Sequence, residues 1–250
     1  MPILRGFIGL FFSTNCLGCG LKTPFLGLCD ACLTRLTPRQ GPRCPTCDIH
    51  LRGRNPGYKC GECVRSPPHF ESVLGIFDYE GPAGRAMAFG KYHRCPEAVD
   101  WVARQVIRHC PKSLKEDPPD AVVAVPLTWR RARRRGFRPP QIIAHRVARA
   151  LDRPLLSRSL VRSRETREQA GLNLKDRQHN IRKAFSVEGP LPENVLIVDD
   201  VFTTGSTVRE VSRTLYKGGA DRIRVLTACY VGNKDSVPTP IETVSVSVRR

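Results

Sequence analysis

The sequence predicts a mainly parallel α/β sheet flanked by helices, preceded by a small cysteine-rich metal module. Three observations predict it. Short apolar runs alternate with helical periodicities from residue 71 to residue 231. Eight of the 11 cysteines fall in four Cys-x-x-Cys pairs near the start of the chain. One apolar run, Val195 to Val198, leads directly into two acids, two threonines, a glycine and a Ser-Thr pair.

The elements follow in chain order. Ile3 to Phe12 is apolar but shorter than the roughly 18 residues needed to cross a bilayer, and it lacks a small-residue cleavage site. It is expected to form a short amphipathic segment, residues 1–12, and the chain is expected to have no membrane span and to be cytoplasmic. Residues 13–68 are rich in Cys, Gly and Pro and poor in apolar periodicity, so they need a staple. Glu71 to Tyr79 reads as a strand and Gly81-Pro82 as a turn. Glu97 to His109 has Val99, Val102, Ala103 and Val106 at helical spacing. Pro111 to Pro119 reads as a polar connection. Ala121 to Val125 is an apolar run suited to a buried parallel strand. Gln141 to Leu151 is helical through Ile143, Val147, Ala150 and Leu151. After the strand Val195 to Val198, Ser206 to Lys217 is a helix with Val208, Val211 and Leu215 on one face, ended by Gly218-Gly219. Ile223 to Val231 is a further strand. The sheet domain is expected to span 69–232, with a tail at 233–250 that is an edge strand or loose.

Two residues between paired cysteines let both sulfurs reach one metal ion, and zinc accepts four thiolates in a tetrahedron. Eight ligands suit two structural Zn2+ sites. The simplest grouping is sequential: Cys16, Cys19, Cys29 and Cys32, then Cys44, Cys47, Cys60 and Cys63. An interleaved grouping, or one filled site with spare cysteines, is equally compatible with the spacing. Redox-active Cys-x-x-Cys is the rival chemistry. Cys95, Cys110 and Cys229 are isolated core or surface thiols, and His50 and His69 are not expected to be ligands. The module is either a structural knob or a contact surface for nucleic acid or protein.

The segment Val195 to Thr207 is a candidate sugar-phosphate loop. A buried strand would deliver Asp199 and Asp200 at its carboxyl end, where ligands of open α/β sheets bind. Adjacent carboxylates accept hydrogen bonds from vicinal hydroxyls. Thr203, Thr204, Gly205, Ser206 and Thr207 supply hydroxyls and backbone N–H groups at a helix N-terminus, which suits an anion. The ordinary alternative is a strand-turn-helix whose Ser or Thr merely caps the helix.

Charge supports an anionic partner. Lys and Arg number 41 against 23 Asp and Glu, for a net +18, and residues 101–190 hold 21 basic against 8 acidic residues. Arg-rich composition alone is the bland account of this excess. Six arginines lie within Arg130 to Arg138, flanked by Trp129 and Phe137.

The run Val195 to Thr207 resembles the phosphoribosyl pyrophosphate (PRPP) signature of type I phosphoribosyltransferases. Ala124 to Phe137 is similar to the segment that holds pyrophosphate in that fold. Arg162 to Phe185 and Phe77 to Arg94 resemble conserved blocks of the ComF/GntX family, and the cysteine pairs resemble its double zinc ribbon. Together these cover about residues 5–232. One departure is visible: the family's Arg-Gly-Phe-Asn-Gln reads here Arg135, Gly136, Phe137, Arg138, Pro139, Pro140.

The resemblance implies a type I phosphoribosyltransferase-like sheet that binds PRPP with Mg2+. Asp199 and Asp200 would hold the ribose and act in catalysis. Thr203 to Thr207 would hold the 5-phosphate. Arg130, Arg131 and Arg135 would face pyrophosphate, and Arg164 and Gln169 would belong to a lid. It also implies a glycosyltransferase moving phosphoribosyl to an unidentified acceptor, with a link to competence and DNA uptake. The alternative is a non-catalytic adaptor that senses PRPP or binds single-stranded DNA, or competence proteins, on the same scaffold. On that alternative the Arg130 to Arg138 run is a nucleic-acid track.

Overall fold

The computed structural model describes residues 14–51, 53, 57–163 and 181–232. The segments 1–12 and 233–250 and the lid residues Arg164 and Gln169 lie outside the described residues.

A parallel sheet of four strands organises the molecule: β3 (Ser72–Asp78), β4 (Ala121–Ala124), β7 (Asn194–Phe202) and β8 (Arg222–Tyr230), in the order β3-β8-β7-β4. The central strands are near-continuous apolar runs because both faces are covered. Alternation along β7 sends Leu196 and Val198 to one face and Val195 and Ile197 to the other. The first face packs on α3 (Pro82–Tyr92), α4 (Pro96–Arg108) and α7 (Pro139–Leu151) through residues such as Met87, Val102 and Ile143. The second packs on α8 (Ser206–Lys217) through Val208, Val211 and Leu215, with β5 (Leu160–Arg162) and β6 (Phe185–Val187) beside it.

Several elements differ from expectation. The strand expected at Val195 to Val198 runs on to Phe202, because β8 pairs with it as far as Phe202↔Tyr230. The connection at Pro111 to Pro119 contains a short helix, α5 (Lys112–Glu116), anchored by the buried Leu114. The turn at Gly81-Pro82 is the start of α3, with Pro82 in its first turn. The arginine run forms α6 (Trp129–Arg135), capped by the Thr128 side chain, which accepts from Arg131 N at 3.3 Å, and closed by Gly136 at φ 79. Pro139 and Pro140 open α7, where a missing N–H costs nothing.

The cysteine module has two matching knuckles. In one, β1 (Thr14–Asn15) and β2 (Lys22–Thr23) flank Cys16 and Cys19, and α1 (Asp30–Thr34) follows Cys29. In the other, α2 (Gly61–Arg65) follows Cys60. The residue after each second cysteine is left-handed, Gly20 at φ 81 and Asp48 at φ 63. Leu17, Leu28 and Leu36 join the sheet's own core beside Trp101. Arg39 is buried between module and sheet, its Nε donating to Asp78 Oδ1 at 2.8 Å and its guanidinium also pairing with Asp48. No helix among the described residues is long and apolar enough to cross a membrane.

Candidate functional site

The eight paired cysteines gather into the two sequential groups, each with its four sulfurs within 4.8 Å of one another. The interleaved grouping is thereby excluded. Cys19 Sγ and Cys29 Sγ are 3.6 Å apart, and Cys47 Sγ and Cys60 Sγ 3.5 Å. A disulfide needs about 2.05 Å, whereas a zinc tetrahedron with ~2.3 Å bonds has edges of ~3.8 Å. Backbone N–H groups also aim at the sulfurs: Cys29 N lies 3.2 Å from Cys16 Sγ and Cys60 N 3.3 Å from Cys44 Sγ. These donors favour thiolates. Even against burial, the Cys16 thiol is held down to about 6 and the Cys44 thiol to about 7 by such N–H groups, whereas burial pushes Cys32 and Cys63 up to about 12. A side chain at Gly18 would lie 2.9 Å from Cys32 Sγ, so the first knuckle needs glycine there. Both groups therefore fit zinc. His69 is not a ligand; it stacks on Tyr216.

The second cluster sits at the carboxyl end of β7. Asp199 and Asp200 are both buried, and Asp200 N donates to Asp199 Oδ1 at 2.8 Å. Alternation turns them to opposite faces. Asp200 faces α3, where Lys91 Nζ lies 2.8 Å from its Oδ2. Arg135 of α6 is half-buried and feels the charge of Asp200; burial lowers its pKa and Asp200 opposes the shift. Asp199 has Arg162 of β5 within electrostatic reach. Burial pushes the Asp199 carboxyl up to about 8 and the Asp200 charge adds to this, while Lys91 and Arg162 oppose it.

The chain then turns through Thr203 and Thr204 into α8. Gly205, not a serine or threonine, occupies the N-cap position, at φ 74. Its Cα faces the Phe202 ring so closely that a Cβ would lie 2.6 Å from Phe202 Cζ. Thr204 Oγ1 and Ser206 Oγ are 3.0 Å apart, which ties the hydroxyls to one another across the turn. The carboxylates, the hydroxyl-rich turn and the start of a 12-residue helix are thus contiguous. This combination can hold a polyol through its acids and an anion through its N–H groups.

Of the three arginines expected near pyrophosphate, Arg135 is brought to the carboxylates and Arg131 is its electrostatic neighbour. Arg130 is exposed and projects from another side of α6. Sequence reasoning assigned no role to Lys91 or Arg162. Both lie in the quoted family blocks, but only the placement of α3 and β5 shows that they face the acids.

A further hollow of about 540 Å3 opens on the outer side of α6, lined by Trp129, Ala132, Arg133, Phe137, Arg138 and Gln141 among others. Trp129 is 62% exposed, with the Arg133 guanidinium 5.0 Å above its ring. Spacings of three and four residues put Trp129, Ala132 and Arg133 on one stripe, away from the stripe of Arg131 and Arg135.

Comparison with known proteins gives a consistent result. Residues 133–247 match the phosphoribosyl transferase domain model. The chain is 31% identical over 207 residues to the DNA utilization protein YhgH of Escherichia coli K12, covering 81% of this chain and 90% of that one. It is 32% identical to the protein of the same name from Salmonella typhimurium LT2, with the same coverage. It is 30% identical over 228 residues to competence protein F of Haemophilus influenzae, covering 86% of this chain and 96% of that one.

Proposed function

Given that the chain belongs to the ComF-like family of phosphoribosyltransferase-domain proteins, we propose that it binds PRPP with Mg2+ at the carboxyl end of β7 and transfers phosphoribosyl to an acceptor nitrogen. The observation that carries this reading is the left-handed Gly205 at the N-cap of α8, in the turn that follows the buried Asp199 and Asp200, with Lys91 and Arg135 facing Asp200. A merely capped helix would not need a glycine pressed on Phe202 or two acids behind it.

Asp199 and Asp200 accept hydrogen bonds from the ribose hydroxyls. The Thr203 to Thr207 backbone and hydroxyls hold the 5-phosphate. Arg135, with Arg131 behind it, meets the pyrophosphate. The C1–O bond to pyrophosphate breaks as the acceptor nitrogen attacks C1, and the electron pair leaves with pyrophosphate. The residues position the substrate and offset charge where it develops. Lys91 pairs with Asp200 in its buried setting and holds that carboxyl in place. Carboxylates are the hard oxygen donors that Mg2+ takes, and the ion would neutralise diphosphate charge. The two cysteine groups each hold one structural Zn2+.

Asp199→Ala is expected to lower PRPP-dependent pyrophosphate release about 10- to 100-fold, the weight of one or two lost hydrogen bonds that leave their partners unsatisfied. A screen of nucleobase and amine acceptors with PRPP and Mg2+ measures it. No shift of the melting temperature at millimolar PRPP with Mg2+ would overturn the proposal.

A second reading rests on the hollow beside α6. Two of the relatives are named for DNA utilization and for competence, which supports considering a nucleic-acid partner. The exposed Trp129 under Arg133, in a stretch without an acid from Ala121 to Leu151, suits an unstacked base and its phosphate. On this reading Trp129→Ala weakens single-stranded DNA binding about tenfold, in a salt-steep assay, and Asp199→Ala leaves it intact. Equal binding by Trp129→Ala and wild type would remove the hollow from consideration.

A further inference from the structure

We propose that the second four-cysteine group holds the Thr203 to Thr207 loop in its binding geometry, with Tyr230 and Arg209 as positioning residues. The inference rests on reading that loop as the 5-phosphate site.

Both ends of the loop lean on this group. Before the loop, Phe202 stacks on Tyr230, ring centroids 4.9 Å apart and planes within 8°. The Arg39 guanidinium lies 3.9 Å from the Tyr230 ring centroid. A ring has two faces, and Phe202 and Arg39 take one each. Tyr230 Oη then donates to Cys47 O at 3.0 Å, so the tyrosine is fixed to the knuckle of the second group. Phe202 in turn is the surface against which Gly205 closes. After the loop, Arg209 in the first turn of α8 donates from Nη1 to Ser66 O at 2.8 Å, and its Nη2 lies 4.0 Å from Cys63 Sγ. The same knuckle is bonded to β3: Val73 N donates to Thr46 O at 2.9 Å and Gly75 N to Asp48 Oδ2 at 3.1 Å.

The first group makes its contacts elsewhere. Arg85 Nη1 of α3 donates to Gly18 O at 3.1 Å, and Leu17 and Leu28 pack in the cluster that holds Trp101. The two metal-type groups therefore divide the work. The first closes the core over α3 and α4, and the second clamps the two chain segments that define the loop. Tyr230 and Arg209 touch no substrate atom in this arrangement; they act through Phe202 and through the start of α8.

The test uses the full zinc-loaded chain and three variants: Tyr230→Phe, which keeps the ring stack and removes the donor to Cys47 O, Arg209→Gln, and Arg85→Gln as the control at the first group. Amide hydrogen exchange of Thr203 to Val208 is read beside zinc content and affinities for ribose 5-phosphate and for pyrophosphate. Tyr230→Phe and Arg209→Gln are expected to speed exchange in the loop about tenfold and to weaken ribose 5-phosphate about five- to tenfold, the effect of one lost hydrogen bond. Pyrophosphate affinity and zinc content stay at wild-type values, and Arg85→Gln leaves the loop unchanged. Unchanged loop exchange in both variants overturns the inference, as does equal acceleration across β3 and β8, which marks general loosening. If the wild type binds no ribose 5-phosphate while loop exchange responds as described, the positioning role stands and the PRPP reading fails.

Discussion

Removing zinc from both cysteine groups is expected to unfold residues 14–66 and to lower the melting temperature of the whole chain by well over ten degrees. The module has little else to hold it. Among its described residues, the helices and strands are two strands of two residues and two helices of five. Helices that short do not persist alone. Structural zinc contributes roughly 10–16 kcal/mol of apparent binding energy per site in small metal-folded peptides, so folding and binding are one event. The loss would spread, because Arg39 pairs across to Asp78 and Leu17, Leu28 and Leu36 belong to the core beneath Trp101. Elemental analysis should find two zinc ions per chain. Circular dichroism and limited proteolysis after chelation should show the module cut first. A metal-free chain with an unchanged melting curve and an intact module would refute the assignment.

Gly205→Ala is expected to be the most damaging single substitution in the loop. Two costs combine. A side chain at φ 74 pays about 1–2 kcal/mol of backbone strain. The new Cβ would also lie 2.6 Å from Phe202 Cζ, and Phe202 cannot swing aside because Tyr230 is stacked on it. Such overpacking costs about 1–3 kcal/mol more. Because the strain is released by moving the loop, affinity for PRPP with Mg2+ should fall about thirtyfold or further, together with a drop in stability. Gly189→Ala is the matched control: its φ is 77, but nothing lies within 4 Å of the added Cβ. It should cost only the backbone share and leave ligand affinity alone. Calorimetric titration and thermal melts of the two variants decide the matter; equal behaviour would show that the contact with Phe202 is irrelevant.

The parts of the fold that were legible in the sequence share one property: their pattern is carried by their own residues. Helix α8 was expected at Ser206 to Lys217 and is found there, because Val208, Val211 and Leu215 form one stripe and glycines follow. The apolar runs of β4, β7 and β8 identify themselves for the same reason. What was missed depends on partners distant in sequence. The carboxyl half of β7 looks like loop because Asp199 and Asp200 interrupt the apolar run, yet β8 extends the ladder past them. Helix α3 is built of small residues, with Gly84 against the Tyr79 carbonyl and Gly90 against Val99, so it has no conspicuous apolar stripe. Helix α6 has five arginines in seven residues and no buried side chain, and its existence follows from the Thr128 cap and the Gly136 stop. Within the candidate site the loop and acids were readable, whereas Lys91 became visible only once α3 was placed beside Asp200. The departure at Arg138-Pro139-Pro140 also has a plain structural account, since both prolines are buried in the first turn of α7.

The strand order has a consequence for how the molecule is made. β3 is the earliest strand of the large sheet and its sheet partner is β8, with Ser72 opposite Arg224 roughly 150 residues later. During synthesis the cysteine knuckles can take up metal early. β3 must then wait, with its apolar face and its backbone groups unpaired, until β8 has emerged. Pairing over so long a separation is expected to slow the folding of the sheet and to leave β3 open to wrong partners in the meantime. Early closure of the second knuckle onto β3, through Val73 and Gly75, would shield that strand during the wait.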